Sequence, residues 1–360
     1  MASEKFIPST LAALLFLCAM VPVAQSASVE ALLAEINKLP PQQRQQRLEE
    51  GARKEGAFVH YSVSNAELIN AYVKAFMSKY PFIKADFWRG SGNQLVFRTL
   101  MEHRAGKLGA DVISVGTENV IALKKAGLYA RYRTPEAQFY PREQYDKEGY
   151  FYSDSLGLAT IAYNHQLVKK EEAPKSYNDL LDAKWKDSLT IDLEPERMLT
   201  AWLLAWGETK TREFVQKLLA NGTTVRRGHT LQAQLLCAGE FKIAVEIYPD
   251  AILRMKKNGC PATIVFANPT PAVVGGNYGI YVNTSHPNAA ALFVDFALSA
   301  EGAKILARTG RVHRRKGVKS LYEELSDLDE KGVPLLVITP EQSEEVTKPM
   351  EKIMKELLVR

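Results

Sequence analysis

The sequence predicts an α/β protein made of two units, each a mainly parallel sheet flanked by helices. Two observations lead there. Short apolar runs alternate with helically spaced segments from Ala57 to Ala126, and the alternation resumes from Leu156 to Ala267 as a second unit inside the chain. The length of 360 residues accommodates two domains. A composition of 46% hydrophobic and 24% charged residues is that of an ordinary globular chain and excludes disorder and collagen-like architectures.

Taken in order, Leu11 to Val23 is an apolar run too short to span a bilayer and of the size of a signal-peptide core. Ala24-Gln25-Ser26 supplies the small residues of a cleavage site, so residues 1–26 read as a leader removed before Ala27, with the mature chain exported to the periplasm. Residues 27–56 are polar and helical with a break at Pro40-Pro41, and read as a surface helical pair.

Ala57 to Ser64 is then a strand leading into a loop, and Asn65 opens a helix with Leu68, Ile69, Tyr72, Val73 and Phe76 on one face. Phe82 to Trp88 is the next strand, followed by Arg89-Gly90-Ser91-Gly92 and a helix. Asp111 to Val115 precedes a helix over Asn119 to Ala126. In the inner unit, strands at 156–163, 188–193, 223–227, 242–248 and 262–267 alternate with helices over 200–220, 231–238 and 250–258. Gly279 to Val282 is a returning strand. Helices then run over 289–299 and from Ser299, Val333 to Ile338 is a strand, and a charged helix closes the chain.

Charge excludes one function class. Lys and Arg exceed Asp and Glu by 46 to 41, a net charge of +5, and no long basic run is present, so nucleic acid is not an expected partner. Cleavage of the leader leaves two cysteines, Cys237 and Cys260, which are either one disulfide or two buried thiols. With no C-x-x-C, a redox role is not expected. The nucleophile-elbow, H-E-x-x-H and P-loop signatures are absent, no His pair sits at i, i+4, and no cofactor is expected.

Several segments in a shared order carry a resemblance. They are Glu50-Gly51-Ala52-Arg53-Lys54-Glu55-Gly56, Gly109-Ala110-Asp111-Val112-Ile113, Ile161-Ala162-Tyr163-Asn164, Ala238-Gly239-Glu240-Phe241-Lys242-Ile243-Ala244, and His286-Pro287-Asn288-Ala289-Ala290 continuing to Ser299-Ala300-Glu301-Gly302. Together they resemble the ABC-transporter periplasmic solute-binding proteins of the ferric-iron and polyamine type. The resemblance implies a type 2 periplasmic-binding fold whose two lobes are joined by crossover strands and close on a solute. Lobe 1 would be 57–157 plus 279–335, lobe 2 would be 158–278, and 336–360 a C-terminal helix. It also implies a monomer that delivers a small polar solute to a membrane permease, without catalysis. An exported enzyme and a receptor-coupled ligand sensor are the rival functions.

Iron-binding members ligate metal with a His or acidic residue after the first strand and two adjacent tyrosines. Here those positions hold Ser64-Asn65 and Tyr248-Pro249, so a metal would have only Tyr248 and Glu194. An anion suits the residues better. Strand ends that meet helix starts favour negative groups, which makes Ser62, Ser64, Asn65, Ser91, Gly92 and Thr117 candidate ligand residues. The same hydroxyls and Asn65 also read as simple helix caps. Arg226 and Arg227 follow an inner strand and offer a bidentate grip, one of them facing the cleft. Glu194 ends another strand and Tyr248 offers an aromatic wall. Arg311, His313, Arg314 and Arg315 form the densest basic cluster, a surface feature suited to contact with a permease.

Overall fold

A computed structural model describes residues 28–358; the leader and its cleavage before Ala27 lie outside them. The fold is the two-lobe α/β arrangement, with one sheet per lobe. The first sheet contains β1 (Ala57–Ser62), β2 (Lys84–Arg89), β3 (Val112–Val115), β4 (Tyr129–Ala130), β5 (Tyr152–Leu158), β11 (Thr270–Tyr281) and β12 (Leu335–Ile338). Its main order is β12-β11-β3-β1-β2, with β4 and β5 also paired to β11. The second sheet, in the order β10-β6-β9-β7-β8, uses β6 (Thr160–Asn164), β7 (Leu189–Asp192), β8 (Thr224–Arg226), β9 (Ile243–Ile247) and β10 (Ala262–Val265).

Within each sheet the strands that feed the site are parallel: β2-β1-β3 in the first, β8-β7-β9 in the second. Parallel strands need both faces covered, and the all-buried runs of β3 and β9 show that they are. The helices that follow them are α3 (Ala66–Lys79), α4 (Gly92–Arg104), α5 (Thr117–Lys125), α6 (Glu196–Ala220), α7 (His229–Ala238) and α8 (Pro249–Lys256). Each therefore starts at the carboxyl end of a strand, the edge where open α/β sheets bind ligands. The lobes join where β5 passes through Ala159 into β6 and where β10 passes through residues 266–269 into β11. Leu156, Leu158, Ala272 and Val274 of these crossovers pack with Leu253 of α8 in one cluster.

Three expectations change. The N-terminal helices α1 (Val29–Asn37) and α2 (Pro41–Glu55) are not a surface pair. Leu33, Ile36, Leu48 and Ala52 are buried in the lobe 1 core beside α9 (Pro287–Leu298). The apolar stripe of α2 is narrow within a Gln- and Arg-rich sequence, but a narrow stripe is enough to dock a helix.

The return to lobe 1 comes at Thr270, well before residue 279. Pro271, Gly275 and Gly276 read as turn residues, yet β11 runs straight through them, paired with β12 and β5. Gly276 has φ +63°, beside the Asp154 carboxylate, a backbone state that suits glycine.

The C-terminus is not one helix. After β12 come α10's successors α11 (Pro340–Glu345) and α12 (Thr347–Ile353), with a final wide turn over Met354–Leu358; α10 itself is Ala300–Arg308. A continuous helix would drive the Pro349 ring into the Glu345 carbonyl, so the chain breaks at Val346. The break lets α11 lie on α5 of lobe 1, while Met350, Ile353 and Leu358 enter the lobe 2 core.

Candidate functional site

The lobe 1 candidates mostly serve the protein itself. Ser62 is fully buried; its Oγ accepts from Ser114 Oγ at 2.9 Å and from the Ser64 amide at 3.2 Å. Ser64 is buried, and its carbonyl accepts from Arg89 Nε at 2.8 Å. Asn65 caps α3, accepting from the Leu68 amide at 2.9 Å. Ser91 caps α4 in a reciprocal capping box with Gln94. Gly92 is the first residue of α4, packed near the Asn119 amide of α5.

Helix α5 differs. Its N-cap is Gly116, with no side chain to bond the first turn, and the hydroxyl of Thr117 is turned away to the Val274 carbonyl. Its first amides are left without a cap of their own.

The same holds throughout lobe 2. Helices α6, α7 and α8 begin at Pro195, Gly228 and Tyr248, and none has a side-chain cap. Asp192, at the end of β7, shapes two of these loops: one carboxylate oxygen accepts from the Glu194 amide at 2.9 Å, the other from the Gly228 amide at 2.8 Å.

The arginines fall outside this group. Arg227 pairs with Glu194 at 3.0 Å with both side chains more than half exposed, an arrangement worth little energy. Arg226 is exposed at the end of β8, the outermost strand. Both line a groove with Leu193, Leu219, Val225 and Leu357. The basic cluster is tied up internally as well: Arg314 holds Glu143 and Asp329, and Arg315 holds Glu136.

Tyr248 lies at the centre of the lobe 2 group. The His229 ring stacks on it at 3.9 Å and 14°, and the Arg197 guanidinium carbon lies 3.9 Å from the same ring centre. Two planar groups that close to one ring occupy opposite faces, so Tyr248 presents only its edge and hydroxyl and not an aromatic wall.

His229 Nε2 is 3.3 Å from Glu246 Oε2, and Nδ1 is 3.6 Å from Asp192 Oδ2. Burial opposes a charge on His229, but the Glu246 hydrogen bond and the charges of Glu246 and Asp192 outweigh it, so its pKa lies above the ordinary value. Glu246 is fully buried, and its other oxygen, Oε1, has no hydrogen-bond partner among the described residues. Burial raises its pKa against the pull of His229 and Arg197. Glu196, in the first turn of α6, is also raised, by the protein around it and by repulsion from Glu118 of α5, Glu194 and Glu246. Glu118 belongs to lobe 1 and the others to lobe 2; Glu118 and Glu196 are both exposed, so their repulsion is weakened by solvent. Among the described residues no group of three or more His, Cys, Asp or Glu side chains is placed to hold a metal ion.

The pKa values of His229 and Glu246 are both raised, so these two groups hold more protons in the folded protein than in the unfolded chain, and the stability they contribute falls as pH rises through them. The His229 contribution is complete below its ordinary value of 6.5 and is lost above it. In urea unfolding at a series of pH values, His229→Gln is expected to flatten the decline above pH 6.5; an unchanged slope would assign it to other groups.

Sequence reasoning missed Arg197, Glu196, Glu118, Asp192 and Glu246. One signal was available: Glu246 interrupts the apolar run Ala244-Val245-Glu246-Ile247, and a charge inside a buried strand marks a site more often than a surface.

The sequence profile of the family described as "Bacterial extracellular solute-binding protein" matches residues 110–324, more than half of the chain. The chain belongs to this family. An uncharacterized protein of Haemophilus influenzae is 27% identical to this solute-binding protein over 274 residues, 72% of this chain and 78% of that one. Among solved structures, iron-bound HitA from Pseudomonas aeruginosa is similar with a TM-score of 0.71 at 21% identity, covering 82% of this chain and 99% of its own. The ferric binding protein from Campylobacter jejuni gives 0.70 at 22%, covering 83% and 99%. AfuA from Actinobacillus pleuropneumoniae, a periplasmic binding protein with exogenous fructose 6-phosphate bound, gives 0.69 at 21%, covering 85% and 100%. These likenesses establish the two-lobe fold. No described helix of this solute-binding protein is long and apolar enough to cross a membrane.

Proposed function

We propose that this solute-binding protein is the periplasmic, monomeric capture component of an ABC importer, and that it takes a small hydroxylated anion without chemically changing it. The supporting observation is the distribution of helix caps. α3 and α4 are closed by Asn65 and Ser91, whereas α5, α6, α7 and α8 start at the facing strand ends with no side-chain cap. Uncapped amides and the positive helix ends favour an anionic group.

The carboxylates Glu118, Glu196 and Glu246 repel a bare anion but accept hydrogen bonds from hydroxyls, and Glu246 Oε1 lacks a hydrogen-bond partner among the described residues. A phosphorylated or carboxylated sugar-like solute satisfies both sets, in keeping with the fructose 6-phosphate held by AfuA. Binding that is tighter in the closed form drives the lobes together.

Ferric iron is the second reading, favoured by the iron-bound likeness. Burial raises the Tyr248 pKa, which works against the phenolate a hard cation needs, and Pro249 stands where a second phenol would be.

A thermal-shift screen of fructose 6-phosphate, inorganic phosphate, ferric citrate and spermidine tests the proposal. The sugar phosphate is expected to stabilise by about 2.7 kcal/mol at a hundredfold excess over its Kd, with no turnover seen by mass spectrometry. A response to ferric citrate alone would select iron instead. Steady product formation would make the protein an enzyme.

A further inference from the structure

We infer that Arg197 is a positioning residue that couples the interlobe crossover to the solute site, an inference resting on the cleft being that site. Arg197 is the second residue of α6, at the positive end of the helix dipole, where a cation is disfavoured. Among the described residues it forms no ion pair within 4 Å, and the charges of Glu196 and Glu246 act on it from farther away. What holds it is the crossover: its Nη1 donates to the Leu158 carbonyl at 3.2 Å, one residue before the chain passes between lobes.

Gly157 makes the seat. A Cβ there would lie 2.7 Å from the guanidinium carbon and 2.9 and 3.0 Å from its two terminal nitrogens. Gly157 has no positive φ, so the backbone does not require glycine at this position. Its missing side chain is accounted for by the space the guanidinium occupies.

The other side of the same guanidinium lies on Tyr248, whose far face carries His229, itself held by Glu246 and Asp192. A change in the course of β5 at the crossover is therefore carried through one rigid planar group to the ring stack at the strand ends. In the reverse direction, a solute that fixes the stack fixes the crossover.

Gly157→Ala displaces the tip of a flexible side chain and no backbone, so the fold is expected to survive and site residues are all retained. Two measurements on the full mature chain decide the inference. In the first, spin labels at the exposed Lys74 of lobe 1 and Thr209 of lobe 2 report interlobe distances without solute. Gly157→Ala and Arg197→Gln are each expected to broaden the distribution; distributions identical to the parent overturn the inference. In the second, fructose 6-phosphate affinity is measured by calorimetry through the double-mutant cycle. Each single variant is expected to bind at least tenfold more weakly, and Gly157→Ala to cause no further loss in the Arg197→Gln background. Multiplying effects would mean Gly157 acts apart from Arg197 and overturn the inference. If the parent protein does not bind fructose 6-phosphate, the sugar-phosphate reading falls, while the distance measurement still decides the role of Arg197.

Discussion

Asp295→Ala is expected to destabilise the folded protein by about 3–5 kcal/mol, the typical cost of stranding one member of a buried ion pair. Arg44 of α2 donates to Asp295 Oδ2 at 2.8 Å, and the Tyr132 hydroxyl donates to Oδ1 at 2.8 Å. The two charged side chains are 9% and 13% exposed, within the cluster that docks α1 and α2 onto α9. Burial raises the Asp295 pKa even with Arg44 and the Thr134 and Tyr132 hydroxyls around it, so desolvation outweighs the attraction. For Arg44 the balance is the reverse, since Tyr132 and Asp295 outweigh its desolvation and raise its pKa; the damage comes from leaving one charge buried without the other. The paired substitution Arg44→Met with Asp295→Leu is expected to recover most of the loss. Urea unfolding of the single and double variants checks both statements, and a double variant as weak as the single would contradict the account.

Reduction of the disulfide is expected to have the second largest effect. Cys237, near the end of α7, is bonded to Cys260, beyond the end of α8, 23 residues later and with Cα atoms 4.9 Å apart. Of the two readings the sequence left open, disulfide or buried thiols, the pairing is the one formed. In the chain-entropy account, opening a loop of this size frees unfolded chain worth about 3 kcal/mol. Cys237→Ser with Cys260→Ser should lower the urea midpoint accordingly, and dithiothreitol should do the same to the parent but not to the variant. Since α7 starts at His229 and α8 follows Tyr248, the bond clamps the far ends of the two helices whose starts belong to the proposed site. Weaker solute binding is expected to accompany the stability loss.

The periodicity of the chain made the elements legible because parallel strands buried on both faces leave short apolar runs. The inner strands lie within one or two residues of where the pattern placed them. The single run at 156–163 is instead two strands, β5 and β6, broken at Ala159 where the chain changes lobes. Hydrophobicity does not record which sheet a buried strand joins. The start of β11 was hidden for a related reason: Pro271, Gly275 and Gly276 are local turn signals that pairing with two neighbouring strands overrides.

The site was less legible than the fold. Ser62, Ser64, Asn65 and Ser91 have the residue types of a binding loop, and the same types cap helices; in this protein local hydrogen bonds claim them. Arg226 and Arg227 were the conspicuous cations, but the sheet order puts them at an outer edge. Arg197 was inconspicuous in a helix start, and its importance comes from residues 40 positions earlier and 51 later in the chain, Gly157 and Tyr248.

The sequence by itself determined the α/β class, the doubled strand–helix alternation and, through motif order, the solute-binding family. These depend on period, composition and spacing, which are local properties of a chain. The tertiary structure alone decided which helix starts are uncapped, and that His229, Tyr248 and Arg197 form one stack held by Glu246 and Asp192. Those depend on distances between residues far apart in sequence, set by how two sheets pack and where the crossovers join them.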